Sequence, residues 1–286
     1  MVRSRAERGL LAVPMIVFLL AFLGLPTLVN LVYSVSEVSF ETLRSPRLAG
    51  LGNYAEALGD PAFWRAAWFS LRFGAICAAI QVAVGLGLAI FLAPLLAARP
   101  WLTAFLMAPL MVAPALVGLM YRLVLHEFVG PVPYYAWELF GLRPSFLGGA
   151  AAFRTLVVVE CLQWTPFAFL LFHMAYAAIP AQLREAARMD GAAPLALLRH
   201  VELPLMAPTI AVAAFIRFID GFRVFDNVYV LVGSGPGGST TSMSIYIYEA
   251  FFRQGAIGRA VAASVLLFVA SFALLYALGA RRSRDA

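Results

Sequence analysis

Long apolar stretches alternate with shorter polar segments along the chain, and their lengths predict membrane-spanning helices. A helix needs about 20 mostly apolar residues to cross a bilayer. Stretches of this kind lie at about residues 10–34, 64–92, 101–125, 150–178, 205–232 and 257–279. The pattern therefore predicts an all-α, polytopic membrane protein with six transmembrane helices, built as a single transmembrane domain over residues 1–286.

Composition supports the same class. Hydrophobic residues make up 63% of the 286 residues and charged residues only 13%, whereas a soluble domain carries about 25% charged residues. A water-soluble fold could not cover its surface with so few polar side chains, so we expect most of the surface to face lipid. The same figures exclude soluble globular, disordered and disulfide-scaffold classes.

The basic residues restrict the function further. The chain has 21 basic residues, a net charge of +6 and no lysine, so every basic residue is an arginine. A nucleotide-binding P-loop needs a lysine that reaches the phosphates, and this chain cannot supply it. If ATP drives the protein, another chain must hydrolyse it. Arginine at the ends of membrane spans explains the charge better than binding to nucleic acid does.

The distribution of arginine predicts the orientation of the chain in the membrane. Arginines of the N-terminal head, of the tight turn at Arg99, of residues 180–204 and of the C-terminal tail fall on one side of a six-span protein. The opposite loops carry nearly as many arginines, but over longer segments and balanced by acidic residues. Because cytoplasmic loops are enriched in arginine, we expect both termini in the cytoplasm.

Residue types that carry catalysis or bind metals are poorly arranged in the sequence. Cys77 and Cys161 fall inside apolar stretches, where cysteine serves as a small buried hydrophobic residue. The three histidines, His126, His173 and His200, are far apart and lack the spacing of metal ligands. We therefore expect no catalytic residue, no metal and no cofactor, and we predict that the chain is not an enzyme.

A polar segment over residues 180–204 separates the fourth and fifth predicted spans. Its first part, residues 181–189, is rich in strong helix formers, and Gly191 can adopt the left-handed conformation that ends a helix. Pro194 suits the first turn of a second helix, which Leu203 and Pro204 would end. That second helix would bury one apolar side, formed by Leu195, Leu198 and Val201. Composition alone fits a plain cytoplasmic connector equally well.

The spacing of seven residues within this segment is more specific: Glu185, Ala186, Ala187, Gly191, Val201, Leu203 and Pro204. It resembles the EAA signature of bacterial ATP-binding-cassette (ABC) importer permeases, with valine in the position of isoleucine. The resemblance implies a cytoplasmic elbow carrying a coupling helix, which docks in a groove of an ATPase subunit. In that arrangement the two alanines allow close approach, the glutamate offers a charge to the partner, and the glycine sets the angle between two short helices.

Further motifs resemble the carbohydrate-uptake branch of the same family. They include Gly50–Tyr54, Gln163–Pro166, Phe225–Leu231, Gly235–Gly238 and Tyr246–Phe251, in family order over almost the whole chain. The most similar permeases are those of maltose, trehalose and glycerol-phosphate type. The resemblance implies a multi-pass protein of the bacterial inner membrane. It also implies three kinds of partner: a second permease (a related chain or a second copy), two ATP-binding ATPase subunits, and an extracytoplasmic solute-binding protein.

Charged residues in the fifth predicted span form a polar face. Arg217, Asp220, Arg223 and Asp226 recur every three residues and would follow one side of a helix. This face could line a translocation path for sugar hydroxyls, or it could be an internal ladder of ion pairs that fixes helix packing.

Three polar or aromatic residues of the fourth span could line the same path. Glu160 and Gln163 are one helical turn apart and could line the same cavity. Trp164 could stack on a sugar ring, although a packing role is the more common use of such a residue. The arginines of the fifth span would suit an anionic sugar, but its aspartates can neutralise them, so the substrate stays open between neutral and anionic sugars.

An ion-coupled secondary transporter of a small polar solute is the alternative function. Such a protein would use Asp220 or Glu160 as a proton or ion relay. It would lose uptake when the ion gradient collapses, whereas an ABC importer would lose uptake without its ATPase subunits. An intramembrane enzyme is disfavoured because no nucleophile and base pair stands out on facing spans.

Overall fold

The computed structural model describes residues 5–142 and 144–282, and these residues are mostly helical. The all-α class expected from the sequence is confirmed at this level, with one two-stranded antiparallel pairing in addition. The described residues group into two compact units, one formed by residues 5–64 and 246–282 and the other by residues 65–245. Each unit is described separately below.

The elements follow one another with short connections. Up to the end of the long second helix they are α1 (Arg5–Leu19), a π-helical turn (Leu20–Gly24), α2 (Leu25–Ser34), β1 (Ser36–Glu37), β2 (Arg47–Leu48), α3 (Gly52–Gly59) and α4 (Pro61–Phe91). The next are α5 (Ala93–Ala98), α6 (Trp101–Met107), a 3-10 turn (Ala108–Met111), α7 (Pro114–Val124), α8 (Pro131–Phe140), α9 (Gly149–Ala177) and α10 (Ala181–Met189). The last are α11 (Pro194–Leu197), a π-helical turn (Leu198–Glu202), α12 (Leu203–Phe222), α13 (Asp226–Leu231), a 3-10 turn (Pro236–Gly238), α14 (Met243–Tyr248), a π-helical turn (Glu249–Arg253) and α15 (Ile257–Arg282).

In the first unit, the residues between α2 and α3 are held by an asparagine. Asn53 Nδ2 donates to the carbonyl oxygens of Ser34 at 3.0 Å and Ser36 at 2.8 Å. The hydroxyl of Tyr54 donates to Ser34 Oγ at 2.8 Å. A Cβ atom at Gly258, in α15, would lie 2.6 Å from Asn53 Nδ2, so only glycine fits against this amide. The Gly50–Tyr54 motif therefore has a structural function here, since its Asn53 and Tyr54 fasten the end of α2. Gly258 in turn lets α15 pack closely against Asn53.

A buried tyrosine and an aspartate meet near the start of α4 in the same unit. Asp60 caps this helix, because its Oδ1 accepts from the Ala62 N–H at 2.8 Å and Pro61 follows it directly. The other carboxylate oxygen accepts from the Tyr246 hydroxyl at 2.9 Å. Burial, followed by the hydrogen bond to Asp60, raises the pKa of Tyr246 to about 12.

In the second unit, glycines let long helices touch through their backbones. A Cβ atom at Gly74 of α4 would lie 2.8 Å from the backbone nitrogen of Phe222, and one at Gly221 of α12 would lie 2.8 Å from the Gly74 Cα. At Gly85 a Cβ atom would lie 2.9 Å from the backbone nitrogen of Phe169 in α9. Small residues at helix contacts are the usual means of close packing between membrane helices. Here they bring α4 against both α12 and α9.

The described residues contain four helices long and apolar enough to cross a membrane, at Ala12–Ser34, Pro61–Phe91, Ala151–Ala177 and Pro194–Phe222. A fifth is added if the bent pair Trp101–Met111 and Pro114–Val124 counts as one span. Beyond these, the first part of α15, Ile257–Ala273, is a shorter apolar stretch. The protein is therefore a multi-pass membrane protein.

The third predicted span is bent by 84° between Met111 and Pro114. Val112 and Ala113 are extended there, with ψ angles of 131° and 138°. Proline disfavours the helical conformation of the residue before it, and Pro114 begins α7 in this position. The break follows from the prolines of this segment.

The fifth predicted span, at about 205–232, is two helices instead of one. Helix α12 ends at Phe222 and α13 begins at Asp226. Two serines take up carbonyls freed by the break: Ser242 Oγ donates to Val224 at 2.6 Å and Ser244 Oγ to Arg223 at 2.8 Å. The expectation of one helix was wrong. The chain can leave the helical conformation here because these long-range donors satisfy the carbonyl groups that lose their partners in the helix.

Some expectations fall on residues outside those described. The outermost arginines of the basic head and tail, Arg3 and Arg284, lie there, so the orientation expected from them stays a prediction. The single domain over residues 1–286 likewise extends beyond the described part of the chain.

Candidate functional site

Two regions contain the functional residues expected from the sequence, and the first is the linking segment, residues 180–204. Its first helix, α10, ends in a Schellman motif at Gly191, which has a φ of +82°. The Gly191 N–H donates to the Arg188 carbonyl at 3.0 Å and the Ala192 N–H to the Ala187 carbonyl at 2.9 Å. Glycine adopts this left-handed conformation without steric cost, so it ends α10 and turns the chain.

The surface of the linking segment is exposed around the Glu-Ala-Ala sequence. Glu185 and Ala186 are exposed, Ala187 is half-buried, and Met189 and Leu195 are 88% and 74% exposed. The expectation that Leu195 is buried was wrong: Leu197, two residues later, fills the core position at 6% exposure. Apolar side chains therefore stand on both sides of the Gly191 turn without cover from this chain.

A salt bridge holds the two halves of the linking segment together. Arg184 Nε lies 2.8 Å from Glu202 Oε1, and Glu202 is 4% exposed. The same guanidinium group donates to the Tyr176 carbonyl at 2.9 Å and lies 4.3 Å from the centre of the Tyr176 ring. This arginine therefore fixes α10 to both the end of α9 and the helix that follows the turn.

The second half of the linking segment continues directly into α12. Pro194–Phe222 forms one helix of 29 residues with a π-helical turn at Leu198–Glu202. The expectation that Leu203 and Pro204 end a helix was wrong, because the wider turn directly before Pro204 accommodates a proline that has no N–H. The second half of the linking segment and α12 are therefore parts of one continuous helix.

The second region is a polar cluster buried between α9 and α13. Asn227 Nδ2 donates to Glu160 Oε2 at 2.7 Å and to Gln163 Oε1 at 2.9 Å. Glu160, Gln163 and Asn227 are 4%, 3% and 2% exposed. Gln81 Nε2 adds a donor to the Glu160 backbone carbonyl at 3.3 Å. The two residues expected on the fourth span are thus brought together, but within the protein interior.

The cluster also stabilises the break in the third span. Gln163 Nε2 donates to the Val112 carbonyl at 3.1 Å, and Val112 lies where the span bends. Gln163 therefore satisfies a backbone group that no helix can satisfy, and Asn227 in turn holds Gln163. The hydrogen bonds from Asn227 to Gln163 and from Gln163 to Val112 therefore connect α13 with the break in the third span.

The charges of α12 form a shorter ladder than expected. Arg217 pairs with Asp220, and Asp220 Oδ1 lies 3.2 Å from an Arg223 guanidinium nitrogen. The guanidinium of Arg217 is 4.6 Å from the ring centres of both Trp164 and Phe167. Arg217 is 3% exposed, so it packs inside the protein and Trp164 contacts it there.

Asp226 does not continue this ladder. It stands in the first turn of α13, after the break, where its charge is favourable near the positive end of the helix dipole. Of the charged residues in this region, Asp220 is about one-third exposed, and Arg223 and Asp226 are exposed. These three side chains lie at the surface of the described chain, whereas Glu160, Gln163 and Arg217 are enclosed by the helices around them.

Sequence reasoning missed Asn227 and Gln81 as partners of Glu160. Asn227 lies within the Phe225–Leu231 motif, so the motif gave a signal, but its hydrogen-bond partners are more than 60 residues away. Gln81 is an isolated amide in an apolar helix, and that pattern is itself a sign of a buried polar contact.

Two apolar cavities lie beside the buried cluster. One has a volume of about 710 Å³ between α4, α6 and α9, and Cys161 and Thr165 are among its few polar lining residues. The other has a volume of about 450 Å³ and is lined by residues of α7 and α9 that include Tyr121 and Gln163. Both cysteines are buried and unpaired. Within the described residues, no three His, Cys, Asp or Glu side chains are grouped to hold a metal ion.

The chain also matches a known protein family. Residues 8–285 match the family described as binding-protein-dependent transport system inner membrane component. The trehalose/maltose transport system permease protein MalF of Thermococcus litoralis is 32% identical over 283 residues, covering 96% of this chain and 94% of that protein. The trehalose transport system permease protein SugA of Mycobacterium tuberculosis (strain CDC 1551 / Oshkosh) is 30% identical over 275 residues, covering 92% and 85%.

Solved structures share the fold at lower sequence identity. A chain of the bacterial alginate ABC transporter, solved with its alginate pentasaccharide-bound periplasmic protein, aligns with a TM-score of 0.81 at 19% identity, covering 98% of this chain and 94% of that chain. A chain of the MetNI methionine ABC transporter aligns with a TM-score of 0.57 at 19% identity, covering 79% and 98%. The alignment with the alginate transporter thus extends over nearly the whole of both chains.

Proposed function

The chain belongs to the family of binding-protein-dependent transport system inner membrane components, and we propose that it forms part of the path by which a sugar or sugar-like solute enters the cell. It is a permease of an ABC sugar importer, as its family and its trehalose and maltose relatives indicate. The chain has no lysine for a P-loop, so ATP hydrolysis belongs to a separate ATPase subunit.

The linking segment couples this chain to the ATPase. The observation that carries this proposal is the uncovered surface around the Schellman turn, where Glu185, Met189 and Leu195 project from a backbone fixed by Gly191. A short helix with exposed apolar and charged side chains suits a groove on a partner protein. Because Pro194–Phe222 is one helix, a displacement of the docked segment moves α12 directly.

The solute passes along the polar side of α12 and α13. Asp220, Arg223 and Asp226 offer charged hydrogen-bonding groups that a solute can reach. Glu160, Gln163, Arg217 and Trp164 shape the wall of the path by holding the interrupted helices in position. Asp220, Asp226 and Arg223 together suit the hydroxyl groups of a neutral sugar.

The complete importer contains further chains in our proposal. This chain pairs with a second permease, related or identical, and with two ATPase subunits and an extracytoplasmic solute-binding protein. It lies in the inner membrane with six spans, α15 being the sixth, and with both termini in the cytoplasm. The linking segment, which lies between the fourth and fifth spans, is then cytoplasmic, and the loop that contains α8 is outside.

Photocrosslinking tests the coupling assignment. In the assembled importer, a photoreactive amino acid at Met189 is expected to form an adduct with the ATPase subunit. The same amino acid at Phe128, which is also 88% exposed but lies in the loop of α8, is the matched control and should give none. Absence of an ATPase adduct from Met189, or equal adducts from both positions, would refute the assignment.

The alternative of an ion-coupled transporter is tested by uptake. Proteoliposomes containing the assembled importer are expected to accumulate sugar only with ATP, and to continue when an ionophore removes ion gradients. Uptake that stops with the ionophore while ATP remains would favour a secondary transporter.

A further inference from the structure

A small aromatic pocket lies outside the buried cluster, at helix α8. It has a volume of about 320 Å³, and its lining residues include Glu127, Phe128, Tyr134, Trp137 and Ser145. Tyr134 and Trp137 are three residues apart on α8, so their rings share one face of the helix.

A tight turn builds the wall opposite α8. The Gly130 N–H donates to the His126 carbonyl at 2.9 Å, and a Cβ atom at Gly130 would lie 2.6 Å from that same oxygen. Only glycine permits this turn, which brings Glu127 and Phe128 to face the rings of α8. The turn therefore fixes the backbone next to two of the residues that line the pocket, Glu127 and Phe128.

Among the residues that the structure describes, the lining combines exposed rings with one carboxylate. Phe128, Tyr134 and Trp137 are 88%, 55% and 49% exposed, so ring surface is available to pack on an apolar face of a ligand. Glu127 accepts a hydrogen bond from Ser145 Oγ, and an ionised carboxylate retains further acceptor sites. Aromatic faces with a few placed polar groups are the common composition of small-molecule sites.

We propose that this pocket binds one or two rings of an uncharged sugar at the outer side of the permease. The ring faces of Tyr134 and Trp137 pack on the apolar C–H face of a sugar, and Glu127 accepts hydrogen bonds from its hydroxyls. The carboxylate disfavours phosphate and sulfate groups, and the volume is at the small end of ligand sites. This inference rests on the proposed function, because it requires a sugar that arrives from outside.

Photoaffinity labelling of the assembled importer in nanodiscs tests the pocket, with a diazirine derivative of trehalose as the probe. Labelling is expected in the peptide of residues 126–145, and unlabelled trehalose should suppress it whereas glucose 6-phosphate should not. Trp137→Ala is expected to reduce labelling three- to tenfold, the loss expected for one stacked ring. Phe140→Ala is the matched control, since Phe140 is an exposed ring of α8 outside the pocket, and it should label like wild type.

Two kinds of failure are distinguishable. Labelling that is absent from residues 126–145, that unlabelled trehalose does not suppress, or that Trp137→Ala leaves unchanged overturns the pocket while ATP-driven trehalose uptake continues. If wild-type importer shows no ATP-driven uptake of any sugar, including maltose and trehalose, the proposed function itself fails. Equal suppression by glucose 6-phosphate would overturn the preference for an uncharged sugar.

Discussion

Replacing Asn227 with leucine tests whether the buried cluster stabilises the interrupted helices. Asn227 is 2% exposed, and its amide donates to both Glu160 and Gln163. Leucine is of similar size but donates no hydrogen bond. The variant therefore leaves the Glu160 carboxylate, which is 4% exposed, without the side chain that solvates its charge.

The loss of stability follows from the two side chains that lose a hydrogen-bond donor, Gln163 and Glu160. A hydrogen bond between side chains of membrane helices contributes about 0.6 kcal/mol on average, and an unpaired charge at the centre of a membrane helix costs about 2.5–3.5 kcal/mol. We therefore expect Asn227→Leu to lower the free energy of unfolding by about 3–4 kcal/mol. In the double variant Asn227→Leu/Glu160→Leu the charge is gone, so the expected loss is smaller than in Asn227→Leu alone.

Thermal unfolding of the purified importer, followed by fluorescence at one scan rate, measures this effect. With about 2–4 °C per kcal/mol for domains of 150–250 residues, Asn227→Leu should lower the midpoint by roughly 6–16 °C. The matched control Asn30→Leu changes an exposed asparagine of α2 and should shift it by less than about 1–2 °C. A midpoint for Asn227→Leu close to that of the control, or strictly additive effects of the two leucine substitutions, would contradict the role of the cluster.

Three further predictions concern backbone turns, helix contacts and pH. Gly191→Pro should abolish ATP-driven uptake while the chain remains in the membrane, because proline cannot adopt a φ of +82°. Gly191→Ala has open space for its Cβ but a strained backbone at this φ, which costs about 1–2 kcal/mol, so it should lose only part of the uptake; equal activity of both variants would contradict the argument. Gly74→Ala should lower the thermal midpoint, because its Cβ would lie 2.8 Å from the backbone of α12, whereas Gly87→Ala, on the same helix with no atom within 4 Å, should not; a similar midpoint for both variants would exclude the close contact. Because the pKa of Tyr246 is raised to about 12 from 10.0, the folded state retains this proton longer than the unfolded state does. The contribution of this protonated hydroxyl to the free energy of unfolding is complete below about pH 10 and is lost as pH rises from about 10 to 12, by about 2–3 kcal/mol in total. The thermal midpoint of the wild type should therefore fall more steeply over this interval than the midpoint of Tyr246→Phe. Parallel curves of the two proteins would refute the coupling to Asp60.

The lengths of the apolar stretches were enough to locate the long helices. The second and fourth predicted spans, 64–92 and 150–178, agree with α4 and α9 to within three residues at each end. The breaks in the third and fifth predicted spans were not foreseen, because both stretches are long and apolar enough for single helices. Each break is stabilised by donors to its freed carbonyls, and those donors, such as Ser242 and Gln163, lie far away in sequence.

The candidate site was foreseen in part for the same reason. The residues 181–204 could be recognised locally, since the turn at Gly191 and the helix before it depend on neighbouring residues. For Glu160 and Gln163 a shared location was expected, but not that Asn227 would occupy their hydrogen-bonding groups. Regular spacing suggested one ladder through Asp226, whereas the helix carrying the ladder ends at Phe222.

The contact between Gly74 and Gly221 limits how the permease can change shape. With backbone against backbone, α4 and α12 cannot slide lengthwise, since any shift would drive the side chains next to these glycines into the opposite main chain. Rotation about the contact point meets no such obstacle. With the linking segment in the cytoplasm, as proposed, a push on α12 at that end would swing its far end in the opposite direction, with this crossing as the pivot.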